Sequence, residues 1–479
     1  MKKNLFLLGF GCLASVSAMA ATVSNVSMAR NAETWETEIT YTLAGAPAIV
    51  TVGVETNGVA ISGSEIVNVK GPANVLLPTN GTYTVRWKSD LDLNGPLVES
   101  ARPVVRAWTL ANPPDYMVVD LIRTKDVRYY ASVDDLPHGL FGTQDYRTTK
   151  LVMRRVRAKG VTWTMGSLGE KGRSQATETV HAVTLPADYW IGVFEVTQAQ
   201  WAQIRNGERP SGCHEDVDWA TRPVEMVSFA VIREAADYTM TPDAQYMYPG
   251  NPHPDSFLGL LRTRSGLKFD LPGEAQWEFA CRAGCGEGVF NNGWQYDNVY
   301  GFDRYRGETT DSWGNKIVYA GVFPGRVYHP TGGYAKGGGA VNSDLQTILV
   351  ADGGTASVGM YEPSKWGIYD MHGNVSEWCL DWYAADITAL GGAVNANGTK
   401  LVSDPSADGT ARVARGGSFS YEARYCRSAS RDADKNSKAP QFVRDYSKYE
   451  YEAYKYCGFG LRVVCPLVAA EDLEEEGAE

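Results

Sequence analysis

The chain has 479 residues, of which 44% are hydrophobic and 21% charged, so it is a globular protein long enough for more than one domain. Its formal net charge of −11, together with the lack of a basic stripe, argues against a nucleic-acid partner. The 50 glycines and 26 tyrosines favour an architecture rich in turns and loops over a helical bundle.

Residues 1–20, MKKNLFLLGFGCLASVSAMA, have the pattern of a secretory signal peptide. Lys2 and Lys3 form the positive n-region, residues 5–13 form a short apolar core, and Ala18-Met19-Ala20 is a small-x-small cleavage site. The apolar run is too short, and too interrupted by glycine, to span a bilayer. Because no later segment is long and apolar enough either, we expect an exported protein (periplasmic, cell-surface or extracellular) that does not span a membrane.

Export determines how the eight cysteines are interpreted. Cys12 would leave with the signal peptide, so an odd number would remain in an oxidising compartment. Disulfides are therefore expected, with at least one cysteine outside them and with a connectivity that sequence alone does not give. Cys281 and Cys285 lack the second pair that a zinc site requires, and the six histidines show no metal-binding spacing.

Residues 21–112 predict an all-β region. In TWETEITYTL every second residue from Trp35 to Leu43 falls on one face, which is the alternation of a half-buried strand. AIVTVGVET, SEIVNV, GTYTVRWKS and RPVVRAWTL follow at short intervals, separated by turn residues. This spacing predicts an antiparallel sandwich, immunoglobulin-like or fibronectin-like, that serves as a spacer or adhesion module. Residues 113–149, rich in Pro, Gly and Asp, are predicted as a linker with one strand in YMVVDLI.

Residues 150–466 have a different texture, in which tryptophan and glycine are frequent and helices are few. One helix begins at Thr197, with Gln200 completing a capping box; a second covers GEAQWEFACRAG; a third, in SFAVIREAADY, begins at Ser228. These helices lie among glycine-punctuated strands, so we predict an α+β domain low in regular secondary structure. The closing residues 467–479 are predicted as an acidic, disordered tail.

Several segments of this second domain have a recognisable order: WTMGS (163–167), VTLPADYWIGVFEVTQAQW (183–201), RPVEMVSF (222–229), FDLPGEAQWEFACRAG (269–284), VGMYEPSKWGIYDMHGNVSEWCLDWY (358–383), RVARGGSFSYEARYCRSASR (412–431) and GLRVV (460–464). Their order resembles that of the formylglycine-generating enzyme family, also called sulfatase-modifying factor. The resemblance implies a single compact domain with the complex variant of the C-type-lectin-like fold.

The segment DMHGNVSEW is similar to a calcium-binding loop of that family. The resemblance implies four ligands: the side chains of Asp370 and Glu377 and the backbone carbonyls of Gly373 and Val375, an all-oxygen set that suits a hard cation. Alternatively, the two carboxylates bind only backbone amides of the turn. A second calcium site of the family has an asparagine where this chain has Gly321, which offers no side-chain oxygen.

The segment RGGSFSYEARYCRSASR resembles the part of the enzyme that carries its chemistry. In the enzyme, two cysteines placed three and eight positions after the serine bind copper(I); counted from Ser418, these positions are Tyr421 and Cys426. A phenol does not replace a thiolate for copper(I), so copper is not expected. Counting back instead from Arg427 indicates a three-residue deletion, and Cys426 is then unrelated to the catalytic cysteine. Cys426 would be half of a disulfide, with Cys281 as the first choice of partner.

These observations favour an exported binding or structural protein over an enzyme, with a protein or a glycan as its ligand. Two alternatives stay open. One is an active formylglycine-generating oxidase that acts on a sulfatase cysteine; the other is a different enzyme of the superfamily that uses the same cleft.

Overall fold

A computed structural model of the chain describes residues 20–93, 95, 100–167, 174–212, 218–237, 244–246, 248, 250–284, 309–310, 316–317, 355–360, 363–384, 411–418, 423–434 and 458–469. The predicted signal peptide up to residue 19, Gly321, Tyr421 and the tail from residue 470 lie outside these residues. The chain divides into two units, with the boundary between Pro113 and Pro114.

The first unit is built from short antiparallel strands. These are β1 (Thr22–Arg30), β2 (Thr37–Ala44), β3 (Ala48–Thr56), β4 (Val59–Ala60), β5 (Val69–Lys70), β6 (Val75–Leu77), β7 (Gly81–Trp87) and β8 (Ala101–Trp108), with the short helix α1 (Ser89–Asp92). One sheet has the order β1-β2-β7-β5, and in the other β3 pairs with β4, β6 and β8. The all-β prediction for this region is confirmed; its immunoglobulin-like or fibronectin-like character stays a prediction.

The two sheets of this unit share one hydrophobic core. Ile39 and Tyr41 from β2, Val50 from β3, and Val85 and Trp87 from β7 are fully buried in it. The predicted alternation therefore holds within β2. The alternation does not extend back to Trp35, two residues before β2. The side chain of Trp35 is 67% exposed, because the chain turns away before the strand begins.

The described part of the second unit contains two larger sheets and two two-stranded sheets. Its elements are β9 (Tyr116–Asp120), β10 (Val127–Tyr130), β11 (Lys150–Val156), β12 (Thr162–Met165), β13 (His181–Thr184), β14 (Tyr189–Gly192), α2 (Gln198–Ile204), α3 (Phe257–Ser265), α4 (Glu274–Arg282), β15 (Thr309–Thr310), β16 (Lys316–Ile317), β17 (Ser376–Trp382), β18 (Arg412–Arg415), β19 (Asp432–Asp434), β20 (Phe459–Gly460) and β21 (Val464–Pro466). The sheet orders are β10-β9-β11-β14-β21 and β19-β18-β17-β20.

Residues 113–149, predicted as a linker, contribute β9 and β10 to the five-stranded sheet, where β9 pairs with β11. Tyr116, Tyr130 and Leu136 from this segment are buried in the same cluster as Val193 of the neighbouring chain segment. This stretch is therefore packed into the second unit through both its backbone and its side chains.

Helices α2, α3 and α4 begin or end at residues with recognisable capping signals. Thr197 and Gln200 form the predicted capping box of α2, and α4 starts after Gly273 and ends at Ala283 in a left-handed conformation. The Ser228 hydroxyl accepts from the amide of Val231, as a cap would, but only a short π-helical turn, Ala230–Glu234, follows. Helix α3 is not among the predicted helices, although Ser256 caps its start and a left-handed Gly266 ends it.

Helix α4 is buried on every side, although four of its nine residues are polar. Glu278 and Arg282 pair with each other within the helix, and Glu274 pairs with Arg431. Such partners make burial of the charged groups tolerable. The unit as a whole has few helices, and the predicted fold class is confirmed. Within the described residues, no helix is long and apolar enough to cross a membrane.

Candidate functional site

Three carboxylates, Glu195, Asp370 and Glu377, are buried together with the guanidinium of Arg462. Glu195 follows β14, Asp370 lies in the loop before β17, Glu377 is the second residue of β17, and Arg462 lies between β20 and β21. The site therefore forms where the ends of the two sheets meet. We call these four residues the carboxylate cluster.

Glu377 and Arg462 form the best-satisfied pair of the cluster. The Glu377 carboxylate accepts from Arg462 Nη2 at 2.7 Å and Nε at 3.0 Å, and from Trp277 Nε1 at 2.6 Å. Arg462 also donates to the carbonyls of Gly192 and Tyr369, at 2.9 and 2.8 Å. Burial alone would lower the pKa of Arg462, but the charge and the hydrogen bonds of Glu377, together with the other two carboxylates, outweigh burial and the pKa is raised.

Asp370 is less well satisfied. Its Oδ2 accepts from the backbone amide of Gly359 at 2.6 Å, while Oδ1 is buried and has no hydrogen-bond partner among the described residues. Burial raises the pKa of Asp370 to about 6, and the charge of Glu377 adds to that effect, against the opposing influence of the Gly359 amide and Arg462. The backbone φ of 59° at Asp370 is unusual for a residue with a side chain.

Glu195, like Arg462, is a member of the cluster that the sequence analysis did not single out. It accepts from Asn374 Nδ2 at 2.6 Å and from the Val375 amide at 3.1 Å, so it fixes the loop that leads into β17. Burial raises its pKa well above the ordinary value, and the charges of Asp370 and Glu377 raise it further. The available signal for Glu195 was its position: it is a carboxylate in an otherwise apolar run, just before the capped start of α2.

The predicted calcium ligands can be tested against this geometry. Among the described residues, none donates a hydrogen bond to the carbonyl of Gly373 or Val375, and Asp370 Oδ1 is also without a donor. Burial favours the neutral form of Glu195, but Asp370 and Glu377 still face one fully buried guanidinium, that of Arg462, which leaves an excess of negative charge in a medium of low dielectric constant. These features fit a hard cation. In the part of the chain that is described, no three acidic, imidazole or thiol groups converge as a metal site, so a cation here would depend on the backbone carbonyls.

The segment that resembles the copper site has a different environment. After β18, Gly416 and Gly417 both have positive φ, 88° and 68°, and Ser418 follows, fully buried. A Cβ at Gly417 would lie 2.6 Å from Cys426 Sγ and 2.8 Å from the carbonyl of Tyr425, so only glycine fits there. The Cys426 thiol is thus packed against backbone in a fully buried position. Tyr421 lies outside the described residues.

The predicted disulfide between Cys281 and Cys426 is wrong, because both residues are thiols. The imidazole of His372 lies against Cys281, with Nε2 3.7 Å from Sγ, and its Nδ1 is 2.8 Å from the Cys426 carbonyl oxygen. The ring thus contacts the sulfur of Cys281 and the backbone of Cys426. Burial raises the pKa of Cys281 to about 12 and that of Cys426 well above its ordinary value, so both are protonated at neutral pH.

The arginines that follow Cys426 form buried ion pairs. Arg427 binds the Glu178 carboxylate through both of its terminal nitrogens, each at 2.7 Å, and Arg431 binds Glu274 at 2.5 and 2.9 Å. Because these arginines and their partners are buried or nearly so, the R-x-A-x-R pattern has a structural role here.

Comparison with known proteins gives the family. The family model described as "Sulfatase-modifying factor enzyme 1-like domain" matches residues 144–443. The formylglycine-generating enzyme of Thermomonospora curvata is 29% identical over 229 residues, which cover 43% of this chain and 60% of that protein. The chaperone protein LppX of Paenibacillus barcinonensis is 29% identical over 213 residues, covering 42% and 65%. The chain thus spans less than two thirds of each of these relatives.

Among solved structures, PvdO from Pseudomonas aeruginosa matches 66% of this chain and 94% of its own, with 17% identity and a TM-score of 0.39. Treponema denticola variable protein 1 matches 66% and 96%, with 20% identity and a TM-score of 0.38. Because the family model covers more than half of the sequence, the protein belongs to the sulfatase-modifying factor family, with a domain like that of sulfatase-modifying factor enzyme 1 joined to an N-terminal all-β unit.

Proposed function

We propose that the protein is an exported binding or structural protein that uses the sulfatase-modifying factor scaffold without its copper chemistry. The observation that carries this proposal is the state of Cys426. Its thiol is fully buried, and burial raises its pKa well above the ordinary value. A copper(I) site needs two accessible thiolates, whereas this chain has Tyr421 at the first position and a buried, protonated thiol at the second.

Calcium is the cofactor that we propose for the scaffold. Asp370 would bind it through its unpartnered Oδ1, and Gly373 and Val375 would contribute their carbonyls. Glu377 is already held by Arg462 and Trp277, so it would use its remaining lone pairs. The ion would neutralise the surplus negative charge of the carboxylate cluster and hold the loop before β17 in place.

The names of the relatives give one indication of the class of ligand. One of them carries the name of a chaperone, which is consistent with a protein ligand for this scaffold. A glycan is the alternative ligand. Surface loops on a rigid, pre-organised core are a common route to either kind of recognition.

A second candidate function is supported by the names of other relatives. The proteins from Thermomonospora curvata and Streptomyces coelicolor are formylglycine-generating enzymes. Under this alternative the chain would oxidise a sulfatase cysteine to formylglycine, or would carry out another reaction in the same cleft. Either reaction would require the site around Cys426 to open, because its sulfur is now covered by the Gly417 turn.

Copper(I) affinity separates the two functions. The protein, fully reduced, is titrated with copper(I) in competition with a chromophoric chelator, beside a Cys426→Ser variant and a Cys379→Ser variant as the matched buried-thiol control. We expect no stoichiometric binding tighter than that of the chelator, and the same weak background in all three proteins. One equivalent of tightly bound copper that is lost only in Cys426→Ser would contradict the proposal and favour the oxidase.

A further inference from the structure

Trp35 of the first unit is displayed in an unusual way. Its side chain is 67% exposed and its backbone has a φ of 60°, a left-handed conformation that bulky residues rarely adopt. Such a conformation costs about 1–2 kcal/mol, and the exposed indole returns little of it through burial. An outlier of this kind, on a residue that the core does not use, is a reason to look for a ligand.

The loop that carries Trp35 is rigid. The Asn31 amide donates to the carbonyl of Glu36 at 2.9 Å, and the Trp35 amide donates to the Asn31 carbonyl at 3.0 Å. The Asn31 side chain accepts from the amides of Glu33 and Thr34, at 2.9 and 3.1 Å. These bonds hold the hairpin between β1 and β2 in one conformation, so the indole is presented in advance and little entropy would be lost when a ligand binds.

A charged pair packs against one face of the indole. The guanidinium carbon of Arg30 lies over the Trp35 ring, 5.1 Å from its centre, and Arg30 binds both carboxylate oxygens of Asp90, one of them at 2.8 Å. The pair therefore supports the ring from one side, and a ligand would approach the exposed surface that remains. The indole N–H donates to no residue in the described ranges and is available to an acceptor on a ligand.

We propose that Trp35, supported on one face by Arg30 and Asp90, is a stacking site on its other face for a neutral sugar ring of a glycan. The C–H bonds on one face of a pyranose carry partial positive charge, and the negative face of an indole attracts them as it attracts cations. A hydroxyl group at the edge of the sugar would then accept a hydrogen bond from the indole N–H. Because such a ligand is flat and small, a single exposed aromatic residue is sufficient to orient it.

Two features favour a neutral glycan over other ligands. Glu33, Glu36 and Asp90 outnumber Arg30 in and beside this loop, and this charge balance repels anionic glycans and nucleic acids. The loop neighbours of Trp35 are mainly polar, which leaves too small an apolar surface for the core of a protein interface. The site concerns the first unit alone, so its failure would leave the proposal about Cys426 untouched.

The experiment measures binding of defined hexasaccharides to the whole protein by titration calorimetry. The probes are cellohexaose, laminarihexaose, xylohexaose, mannohexaose and chitohexaose, with hexagalacturonate as the anionic comparison. We expect at least one neutral probe to bind with a Kd between about 10 µM and 1 mM. Trp35→Ala should weaken that binding at least tenfold, Trp35→Phe by less, and Val59→Ala, an equally exposed apolar residue of the same unit, by less than twofold.

Several results would overturn the proposal. They are no binding of any neutral probe, preference for hexagalacturonate, or unchanged affinity in Trp35→Ala. If Trp35→Ala disturbs the fold of the first unit, as judged by its circular dichroism, Trp35→Phe decides: loss of all binding in a folded Trp35→Phe protein contradicts simple stacking. A Trp35-dependent complex with a protein and with none of the sugars would assign the loop to a protein ligand instead.

Discussion

Replacing Glu377 with glutamine removes one charge from the centre of the carboxylate cluster while it keeps the shape of the side chain. Three of the contacts to Glu377 come from Arg462, at 2.7 to 3.1 Å, and both side chains are almost completely buried. Breaking a buried pair in this way typically costs 3–5 kcal/mol. Glu195 and Asp370 remain close enough to balance the charge of Arg462, so we expect the lower end, about 3 kcal/mol.

The assay is urea unfolding of the full chain, followed by near-ultraviolet circular dichroism, with Asp126→Asn as the matched control. Asp126 also pairs with arginines, but at the surface, so its loss should cost less than about 1 kcal/mol. A double mutant cycle with Arg462→Met should show a coupling of at least about 1.5 kcal/mol, since the two groups are in direct contact. Additive effects, or a cost below about 1 kcal/mol for Glu377→Gln, would refute the account of the cluster.

Three further predictions concern other parts of the second unit and one glycine of the first. Calcium at one hundred times its Kd should stabilise the protein by about 2.7 kcal/mol, seen as a higher Tm that chelation reverses; an equal effect in Asp370→Ala would contradict the site. Burial alone would raise the pKa of Asp188, but Arg155 and two backbone amides hold it below its usual range. The stabilisation by Asp188 is therefore present above about pH 4 and lost below it. Asp188→Asn should lower the free energy of unfolding by roughly 2 kcal/mol at pH 7 and by progressively less in acid. A difference that does not change with pH would contradict this prediction. Gly417→Ala should destabilise the protein by roughly 3 kcal/mol or more, because the added Cβ would meet backbone and sulfur atoms. Gly58→Ala is the control: its φ of 77° is similar but the space around it is open, so it should cost about 1 kcal/mol. Equal costs in urea unfolding would show that the crowding does not matter.

Most predictions that depend on neighbouring residues succeeded, although the helix predicted after Ser228 is only a short π-helical turn. The capping box of Thr197 and Gln200 needs contacts between residues three positions apart, and it forms as predicted. The alternation in β2 is similarly local, and it failed only at Trp35, where the turn geometry around Asn31 ends the strand pattern. The Asn31 side chain accepts hydrogen bonds from nearby backbone amides, and an alternation of residue types does not reveal a turn of this kind.

Contacts between distant segments could not be predicted in the same way. Glu195 and Glu377 are separated by about half of the second unit, and Arg462 follows even later, so only the folded sheets bring them together. The pairing of Cys281 with Cys426 was a choice among many connectivities, and the position of His372 between them could not be read from spacing. The order of the segments identified the family. The chemistry depends instead on which side chains those segments bury.

The most direct test of the central claim is turnover of a peptide that contains the sulfatase cysteine motif. The purified protein, loaded with copper(I), is incubated with the peptide in air, and the product is analysed by mass spectrometry beside the Cys426→Ser variant. The account predicts that the cysteine stays unchanged in both reactions. Copper-dependent formation of formylglycine that disappears in Cys426→Ser would show that the protein is an oxidase and would contradict the account.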